Sequence, residues 1–295
     1  MRRLSALVIA LLSSLAFSQG APAKSAPPQT AVLVGVVAAL NDAVAKKQAD
    51  ALASFVGAAV NQLTLPRVYA DQEALALAVG KGEVDVALMG PLAYLRLDPK
   101  AKAQLMFRTV RQGKSTYRSV LFAPPTSKIT SLELLKKSKT PLKVAWVETS
   151  SATGYVIPKA VLIQAGINPV QAFETQDFLG SHDAVCQAVI DGKYDLGATF
   201  SDANGMVSGC TGALGKRVTS LKVVATSSEV PNDVMVAAPK FAQGKVDAIV
   251  AAAKAAGTSV DGKKSLQAAL LAEGVADVKD EDFAPLRKAL DAFVP

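Results

Sequence analysis

Two segments of the chain repeat one pattern, in which a helix ends at a glycine turn and a hydrophobic strand that carries an aspartate follows. The first segment covers residues 81–91, with Gly82 at the turn, and the second covers residues 192–198, with Gly192 at the turn. A glycine here lets the chain leave a helix in the left-handed conformation. Because alternating helices and hydrophobic strands are typical of helix-covered sheets, the repeat predicts two α/β lobes of similar construction.

Length and composition are sufficient for two lobes. The chain has 295 residues, of which 50% are hydrophobic and 19% are charged, so it can bury a large core. Hydrophobic patterns predict strands at residues 32–37, 84–89, 119–123, 142–147, 194–200, 221–225 and 234–238. They predict helices at residues 46–61, 156–165 and 185–190, and further helices from residue 244 onward.

The order of these elements predicts how the chain is divided. Pro124-Pro125 ends a strand, so we place the first crossing between lobes there. Residues 31–124 and 226–295 then form lobe 1, capped by the C-terminal helices, and residues 125–225 form lobe 2. Two crossings make a hinged cleft, and open α/β sheets bind ligands beyond the carboxyl ends of their strands.

The first 23 residues have the pattern of a secretory signal peptide. Arg2 and Arg3 precede an apolar run at residues 4–17, and small residues follow. The run is too short for a comfortable membrane span, and residues 24–30 predict a polar linker. We therefore expect residues 1–23 to be a signal peptide, with cleavage after Ser18 or Ala23, and the mature protein to be soluble in the periplasm.

The two cysteines and the net charge limit which covalent links, metal sites and partners the protein can have. Export would allow a disulfide between Cys186 and Cys210, worth about 3 kcal/mol, and the alternative is two separate buried thiols. There are too few cysteines and histidines for a zinc site. The formal charge is +7, or about +5 without Arg2 and Arg3, and the lysines lack interleaved aromatic residues. We expect no nucleic-acid partner.

The turn at residues 148–155 has the features of an anion site. It lies between a predicted strand and a predicted helix, where backbone N–H groups lack acceptors and carry the positive end of the helix dipole. Ser151 and Thr153 would add hydroxyl donors. The alternative is an ordinary N-cap, because Ser and Thr are favoured there in any helix.

The only histidine, His182, lies at a second helix start. Its ring could donate to an anion and could become charged, because its ordinary pKa is about 6.5. A capping or surface histidine is the alternative. The α/β unit that follows at residues 192–198 favours the functional interpretation.

Four segments together resemble the periplasmic substrate-binding proteins of phosphate, phosphite and phosphonate ABC transporters. They are Gly82-Glu83-Val84-Asp85 through Gly90-Pro91, Tyr117-Arg118-Ser119-Val120-Leu121, Ser151-Ala152-Thr153-Gly154-Tyr155 with Pro158, and Gly180-Ser181-His182-Asp183 with Ala188-Val189. The resemblance covers about residues 34–238 and implies a two-lobed α/β fold of periplasmic-binding-protein type II, hinged by two crossovers. It also implies a monomer without cofactor or metal that delivers a small phosphorus oxyanion to an ABC transporter permease.

The resemblance further implies a set of ligand-binding residues. A monoprotonated phosphorus oxyanion needs several donors and at least one acceptor. The implied residues are Tyr117, Ser150, Ser151, Thr153, Gly154, His182, Asp202 and Asp233. Tyr117 and Asp233 would face the cleft from lobe 1, and the aspartates would be the acceptors. Turn chemistry is the alternative for both aspartates, and a half-buried edge position is the alternative for Tyr117.

The chain also departs from the family pattern. Ala152 replaces a hydroxyl residue of many relatives, and Leu88-Met89 stands where relatives often have aromatic residues, so the ligand could be a different small anion. One competing function is an exported sensor domain for a similar anion. Another is a hydrolase with Ser151, His182 and Asp233 as the parts of a triad, although no strand leads into a Gly-x-Ser-x-Gly elbow. We expect a binding protein and not an enzyme.

Overall fold

Strands and helices alternate along most of the chain that the computed structural model describes, which is residues 31–37, 42–97, 100, 102–201 and 206–292. The strands are β1 (Val32–Val37), β2 (Thr64–Tyr69), β3 (Val86–Met89), β4 (Gln104–Val110), β5 (Thr116–Ala123), β6 (Leu142–Trp146), β7 (Phe173–Phe178), β8 (Leu196–Ser201), β9 (Lys222–Thr226), β10 (Val230–Pro231), β11 (Val234–Ala237) and β12 (Gly274–Ala276). The α-helices are α1 (Asp42–Val60), α2 (Gln72–Lys81), α3 (Pro91–Leu95), α4 (Leu132–Lys137), α5 (Ile157–Gln164), α6 (Pro169–Ala172), α7 (His182–Ile190), α8 (Thr211–Leu214), α9 (Gln243–Ala256), α10 (Val260–Leu270) and α11 (Ala284–Asp291). A π-helical turn spans Ala152–Val156, and 3-10 turns span Ser208–Cys210, Gly215–Ser220 and Asp280–Phe283. The predicted signal peptide and linker, residues 1–30, lie outside the described residues.

The first sheet has the strand order β12-β4-β11-β3-β1-β2. Strand β1 is parallel to β2 and β3, and β11 runs antiparallel between β3 and β4. Alternate side chains of a strand point to opposite faces. Val34 and Val86 therefore pack with α1, α9 and α10, whereas Ala87 and Met89 pack with α2 and α3. Helices cover both faces, as expected for strands that are hydrophobic throughout.

The second sheet has the order β10-β5-β8-β6-β7, with β9 beside β5. Strand β6 is parallel to β7 and β8, and β5 is antiparallel to β8. Trp146 and Leu162 share the core on the α5 side, and Ala145 and Val185 share the core on the α7 side. Two helix-covered sheets confirm the predicted α/β fold with two lobes.

The repeated aspartate has the same contacts in both lobes. The Asp85 carboxylate accepts from the backbone N–H of Leu33 at 2.8 Å, and the Asp195 carboxylate accepts from the backbone N–H of Lys143 at 2.8 Å. In each lobe the aspartate N–H also donates to the carbonyl of that same partner, at 2.9 Å. Each aspartate thus joins the start of one strand to its parallel neighbour, which explains why the pattern occurs twice.

The predicted first crossing at Pro124-Pro125 is wrong. Strand β5, which ends just before those prolines, pairs with β8 and β9 and so belongs to the second sheet. The chain leaves the first sheet at the end of β4 and turns tightly, with Arg111 and Lys114 exchanging backbone hydrogen bonds at 2.8 and 3.0 Å. Both turn residues, Gln112 and Gly113, have positive φ, as a type I′ turn requires.

The return crossing also lies later than predicted. Strands β9 and β10 both pair with β5, so residues 226–231 remain with the second sheet. The buried Asn232 then joins the two crossings, because its side-chain amide donates to the carbonyls of Thr109 at 3.0 Å and Lys114 at 2.9 Å. These contacts fix the hinge between strands of opposite lobes.

The C-terminal helices divide between the lobes. Helices α9 and α10 pack on the first lobe with α1, as predicted. Phe283 is also buried in the first lobe, but Leu286 and Ala289 of the following helix α11 pack against Ile157 and Ala160 of α5 in the second lobe. The prediction that all C-terminal helices cap the first lobe is therefore wrong for α11.

A disulfide joins Cys186 of α7 to Cys210, which decides between the two alternatives for the cysteines. It connects α7 to the 3-10 turn at Ser208–Cys210. Among the described helices, none combines the length and the apolarity that a membrane crossing requires.

Candidate functional site

The carboxyl-end edge of the second sheet gathers several of the predicted ligand residues. Parallel strands β6 and β7 end there, and backbone hydrogen bonds from Leu179 to Trp146 at 2.9 Å and from Gly180 to Val147 at 2.8 Å join the loops that follow them. Antiparallel β5 begins at the same edge, because Arg118 pairs with Ser201 near the end of β8. The starts of the π-helical turn and of α7 therefore lie side by side.

The turn after β6 presents unpaired donors. Ser151 is the N-cap of the π-helical turn, and its hydroxyl accepts from the backbone N–H of Gly154 at 3.0 Å. That hydroxyl keeps its own proton free to donate. Within the described ranges, no group accepts from the backbone N–H groups of Ala152 and Thr153. Ser150 lies half-buried on the same turn.

Gly154 has a structural role in this turn. Its N–H is taken by Ser151, and its carbonyl accepts from the backbone N–H of Val147 at 3.2 Å. A Cβ atom at this position would overlap the Val147 side chain. The geometry thus explains the glycine by close packing, and not by a free N–H donor as predicted.

Strand β5 holds the turn in place. The hydroxyl of buried Ser119 donates to the carbonyl of Thr153 at 2.8 Å. The backbone N–H of Ser119 donates to the hydroxyl of Ser227 at 2.9 Å. Thr153 itself is buried, and no hydrogen bond from its hydroxyl to another described residue is present. These hydrogen bonds hold the turn against β5 and leave the hydroxyl protons of Ser151 and Thr153 unused within the described residues.

His182 begins α7, whose N-cap Ser181 accepts from the backbone N–H of Ala184 at 3.1 Å. Ring atom Nδ1 lies 2.8 Å from the Thr199 hydroxyl of β8. Burial lowers the pKa of His182 from 6.5 to about 4 and outweighs Asp183, whose negative charge acts in the opposite direction. The ring is therefore neutral near pH 7 in the ligand-free protein, and the expectation that it becomes charged against a bound anion stays a prediction.

Tyr117 and Asp233 meet at the hinge. Tyr117 lies inside β5 of the second sheet, so the prediction that it faces the cleft from lobe 1 is wrong. Asp233 forms an ion pair with Arg111, with 2.6 Å between Oδ2 and Nη2. Burial, and then the charge of Asp233, raise the pKa of Tyr117, so its hydroxyl stays a neutral donor. The Asp233 charge likewise raises the pKa of Arg111.

Sequence reasoning missed Arg111, Ser119 and Thr199. All three contact predicted site residues across the chain, and their partners are fixed by strand pairing that local patterns do not encode. Asp202 lies outside the described residues. Across the ranges that the structure places, no group of three or more His, Cys, Asp and Glu side chains could hold a metal ion.

The first lobe closes over one side of this edge. Leu92 of α3 is buried with Val156 and Ile157, where the π-helical turn passes into α5. Just before α3, the Gln72 side chain accepts from the backbone N–H of Gly90 at 3.1 Å. The π-helical turn therefore passes into α5 beside a contact between the two lobes.

Solved structures share this architecture. A Xanthomonas citri protein bound to chloride ion has a TM-score of 0.74 and 17% identity, with 89% of this chain and 96% of that chain covered. A binding protein component of an ABC phosphonate transporter from Pseudomonas aeruginosa has a TM-score of 0.69 and 21% identity, with coverages of 88% and 85%. A Prochlorococcus marinus protein in complex with methylphosphonate has a TM-score of 0.71 and 18% identity, with coverages of 89% and 99%. At these identities the likeness establishes the type II periplasmic-binding-protein fold.

Family membership follows from the sequence itself. Residues 34–283 match the family described as the periplasmic substrate-binding protein of phosphonate ABC transporters. The match covers both sheets and both crossings of the hinge. The chain therefore belongs to the family of periplasmic substrate-binding proteins of phosphonate ABC transporters.

Proposed function

We propose that the mature protein is exported to the periplasm, captures a small phosphorus oxyanion in the cleft, and delivers it to an ABC transporter permease without converting it. The observation that carries this proposal is the pair of helix starts at one sheet edge. One start leaves the N–H groups of Ala152 and Thr153 without an acceptor among the residues that the structure describes, and the other carries the ring of His182.

The donors suit a tetrahedral oxyanion. Helix starts favour negative charge through their dipoles, and the hydroxyls of Ser151 and Thr153 approach from the side of the turn. The ion pair of Arg111 with Asp233 cancels its own charge, so the anion is held by neutral donors. Phosphonate, phosphite and phosphate all present at least three oxygens to such an arrangement. The methylphosphonate bound to the Prochlorococcus marinus protein is a ligand of this size and charge.

The contacts favour binding over hydrolysis. A serine nucleophile needs a base within hydrogen-bond reach. The hydroxyl of Ser151 accepts from the N–H of Gly154, and the hydrogen bond of the His182 ring within the described residues is with Thr199. Asp233 is paired with Arg111 at the hinge. Three parts of a triad are present in the chain, but they do not contact one another.

The proposal is tested with purified mature protein and a panel of anions. Methylphosphonate, phosphite, phosphate and sulfate are compared by thermal shift and calorimetry. A ligand at a hundredfold excess over its dissociation constant stabilises the folded state by about 2.7 kcal/mol. A shift with none of the three phosphorus anions, together with a shift for a sugar or an amino acid, would overturn the proposal.

A matched pair of variants tests the site. Thr153→Val removes a hydroxyl at the turn, and a hydrogen bond to a charged ligand contributes about 1.5–3 kcal/mol, so binding should weaken about tenfold or more. Thr175→Val makes the same change within β7, three residues before the carboxyl end of the strand, and should bind like the wild type. Equal affinities for the two variants would remove Thr153 from the site.

A further inference from the structure

The contact between His182 and Thr199 is a buried polar pair that the proposed ligand contacts do not explain. The Thr199 side chain is fully buried on the face of β8 that packs against α7, and its hydroxyl lies 2.8 Å from Nδ1 of the ring. Neither partner was predicted to contact the other. Their separation in sequence is 17 residues, and it is bridged by strand β8 returning beside α7.

We infer that Thr199 is a positioning residue that fixes His182 as the neutral tautomer with its proton on Nε2, so that the ring offers one N–H donor to an unprotonated ligand oxygen. The ligand part of this inference rests on the proposed function. The tautomer part rests on the contact alone and can be tested in the ligand-free protein.

The proton assignment follows from the donors and acceptors present. A hydroxyl carries one proton, and a buried donor without an acceptor costs about 1–3 kcal/mol. Among the residues that the structure places, the Thr199 hydroxyl has the Nδ1 atom as its hydrogen-bond partner. The hydroxyl therefore donates to the lone pair of Nδ1. A neutral ring that accepts at Nδ1 carries its proton at Nε2.

Neighbouring residues restrain both the His182 ring and the Thr199 side chain. The ring of Phe200 meets the His182 ring edge-on, with 5.1 Å between centroids and an angle of 79° between planes. Behind Thr199, Gly209 approaches so closely that a Cβ atom there would overlap the threonine hydroxyl. The disulfide of Cys210 to α7 keeps that turn in place. Thr199 and the ring therefore have little freedom to separate.

The tautomer constrains the ligand. The two ring nitrogens point in opposite directions, so Nε2 is turned away from β8. An N–H at that atom favours an oxygen that carries no proton, and an oxygen that is itself protonated would find no acceptor there. The same ring with its proton on Nδ1 would instead accept at Nε2. Thr199 thereby sets which oxygens of a partly protonated anion the site accepts.

Because the chain has one histidine, its tautomer can be read without ambiguity. Long-range nitrogen–proton correlation spectra of uniformly ¹⁵N-labelled protein at pH 7 should show the Nε2–H tautomer in the wild type. Thr199→Val should give a mixture of tautomers and a dissociation constant for methylphosphonate raised about tenfold or more. Thr199→Ser keeps the hydroxyl and should restore both the tautomer and the affinity.

A wild-type ring that is charged or protonated at Nδ1 at pH 7 would overturn the inference. So would a Thr199→Val variant with an unchanged tautomer and affinity. The wild-type spectrum and the serine variant provide this test even where the valine variant does not fold. An Nε2–H tautomer that depends on Thr199, in a protein that binds no phosphorus anion, would refute the proposed function while the tautomer assignment stands.

Discussion

Acid should destabilise this protein through its single histidine. Burial lowers the pKa of His182 from 6.5 to about 4 in the folded protein. Between these two values the unfolded chain binds a proton that the folded protein does not bind. Stability from this group is therefore fully present above about pH 6.5 and is lost as the pH falls toward 4.

The size of this effect follows from the same two values. One pKa unit corresponds to about 1.4 kcal/mol, so the full loss from His182 is about 3 kcal/mol. Most of the loss falls between pH 6 and pH 4.5, where carboxylates also begin to bind protons. A comparison with a variant that lacks the histidine is therefore required. His182→Gln keeps a neutral polar side chain and cannot bind the proton.

Urea unfolding of both proteins at several pH values from 7 to 4.5 isolates the histidine. The carboxylates are common to both proteins, so their contribution cancels in the difference between the two free energies of unfolding. That difference should change by about 2–3 kcal/mol over this range, with the wild type losing more stability. A constant offset, such as a lost contact to Thr199, does not alter the slope. Parallel curves would refute the argument that His182 is buried in its neutral form.

Three variants test the packing in and around the second lobe. Gly154→Ala should destabilise the protein by about 1–3 kcal/mol in urea unfolding, because a Cβ atom would overlap the Val147 side chain; an unchanged midpoint would contradict the close packing. Replacing both Cys186 and Cys210 by serine should cost about 3 kcal/mol, equal to the effect of reduction on the wild type. Leu286→Ala should cost about 2–5 kcal/mol and also change the methylphosphonate dissociation constant, measured by calorimetry; unchanged binding would separate α11 from the cleft.

The repeated unit could be predicted from the sequence because its causes are local. Gly82 and Gly192 both have φ above 70°, where glycine is favoured at a helix end. The aspartates that follow bond the start of the neighbouring strand in each lobe. Helix starts at Ser151 and Ser181 are likewise set by side chains that bond N–H groups three residues later. These features need no knowledge of distant partners.

The lobe boundaries could not be predicted in the same way. The sequence of β5 is that of a buried strand in either sheet, and its place is decided by pairing with β8 and β9. The double proline after it marks the end of the strand and not the change of lobe. Strand β7 was missed because Glu174, Gln176 and Asp177 give it a polar composition, although it pairs in parallel with β6 at the sheet edge.

The site residues show the same division. Thr153 and His182 were predicted as site residues from their helix starts, whereas Arg111 and Thr199 are identified by contacts across 122 and 17 residues of sequence. A long-range ion pair also changes what a carboxylate can bind, because one of its oxygens is already paired. The resemblance implies that Asp233 accepts from a ligand, and in the structure one of its carboxylate oxygens is paired with Arg111.

Helix α5 connects the ligand turn to the packing between the lobes. The π-helical turn with the free N–H groups continues into α5 without a break, and Ile157 and Ala160 of α5 contact Leu286 and Ala289 of α11. The segment before α11 is anchored on the first lobe by buried Phe283. A movement of one lobe relative to the other would therefore change the packing of α11 against α5, the helix that follows the π-helical turn. Under the proposed function, the turn that binds the anion and the packing between the lobes therefore share one helix.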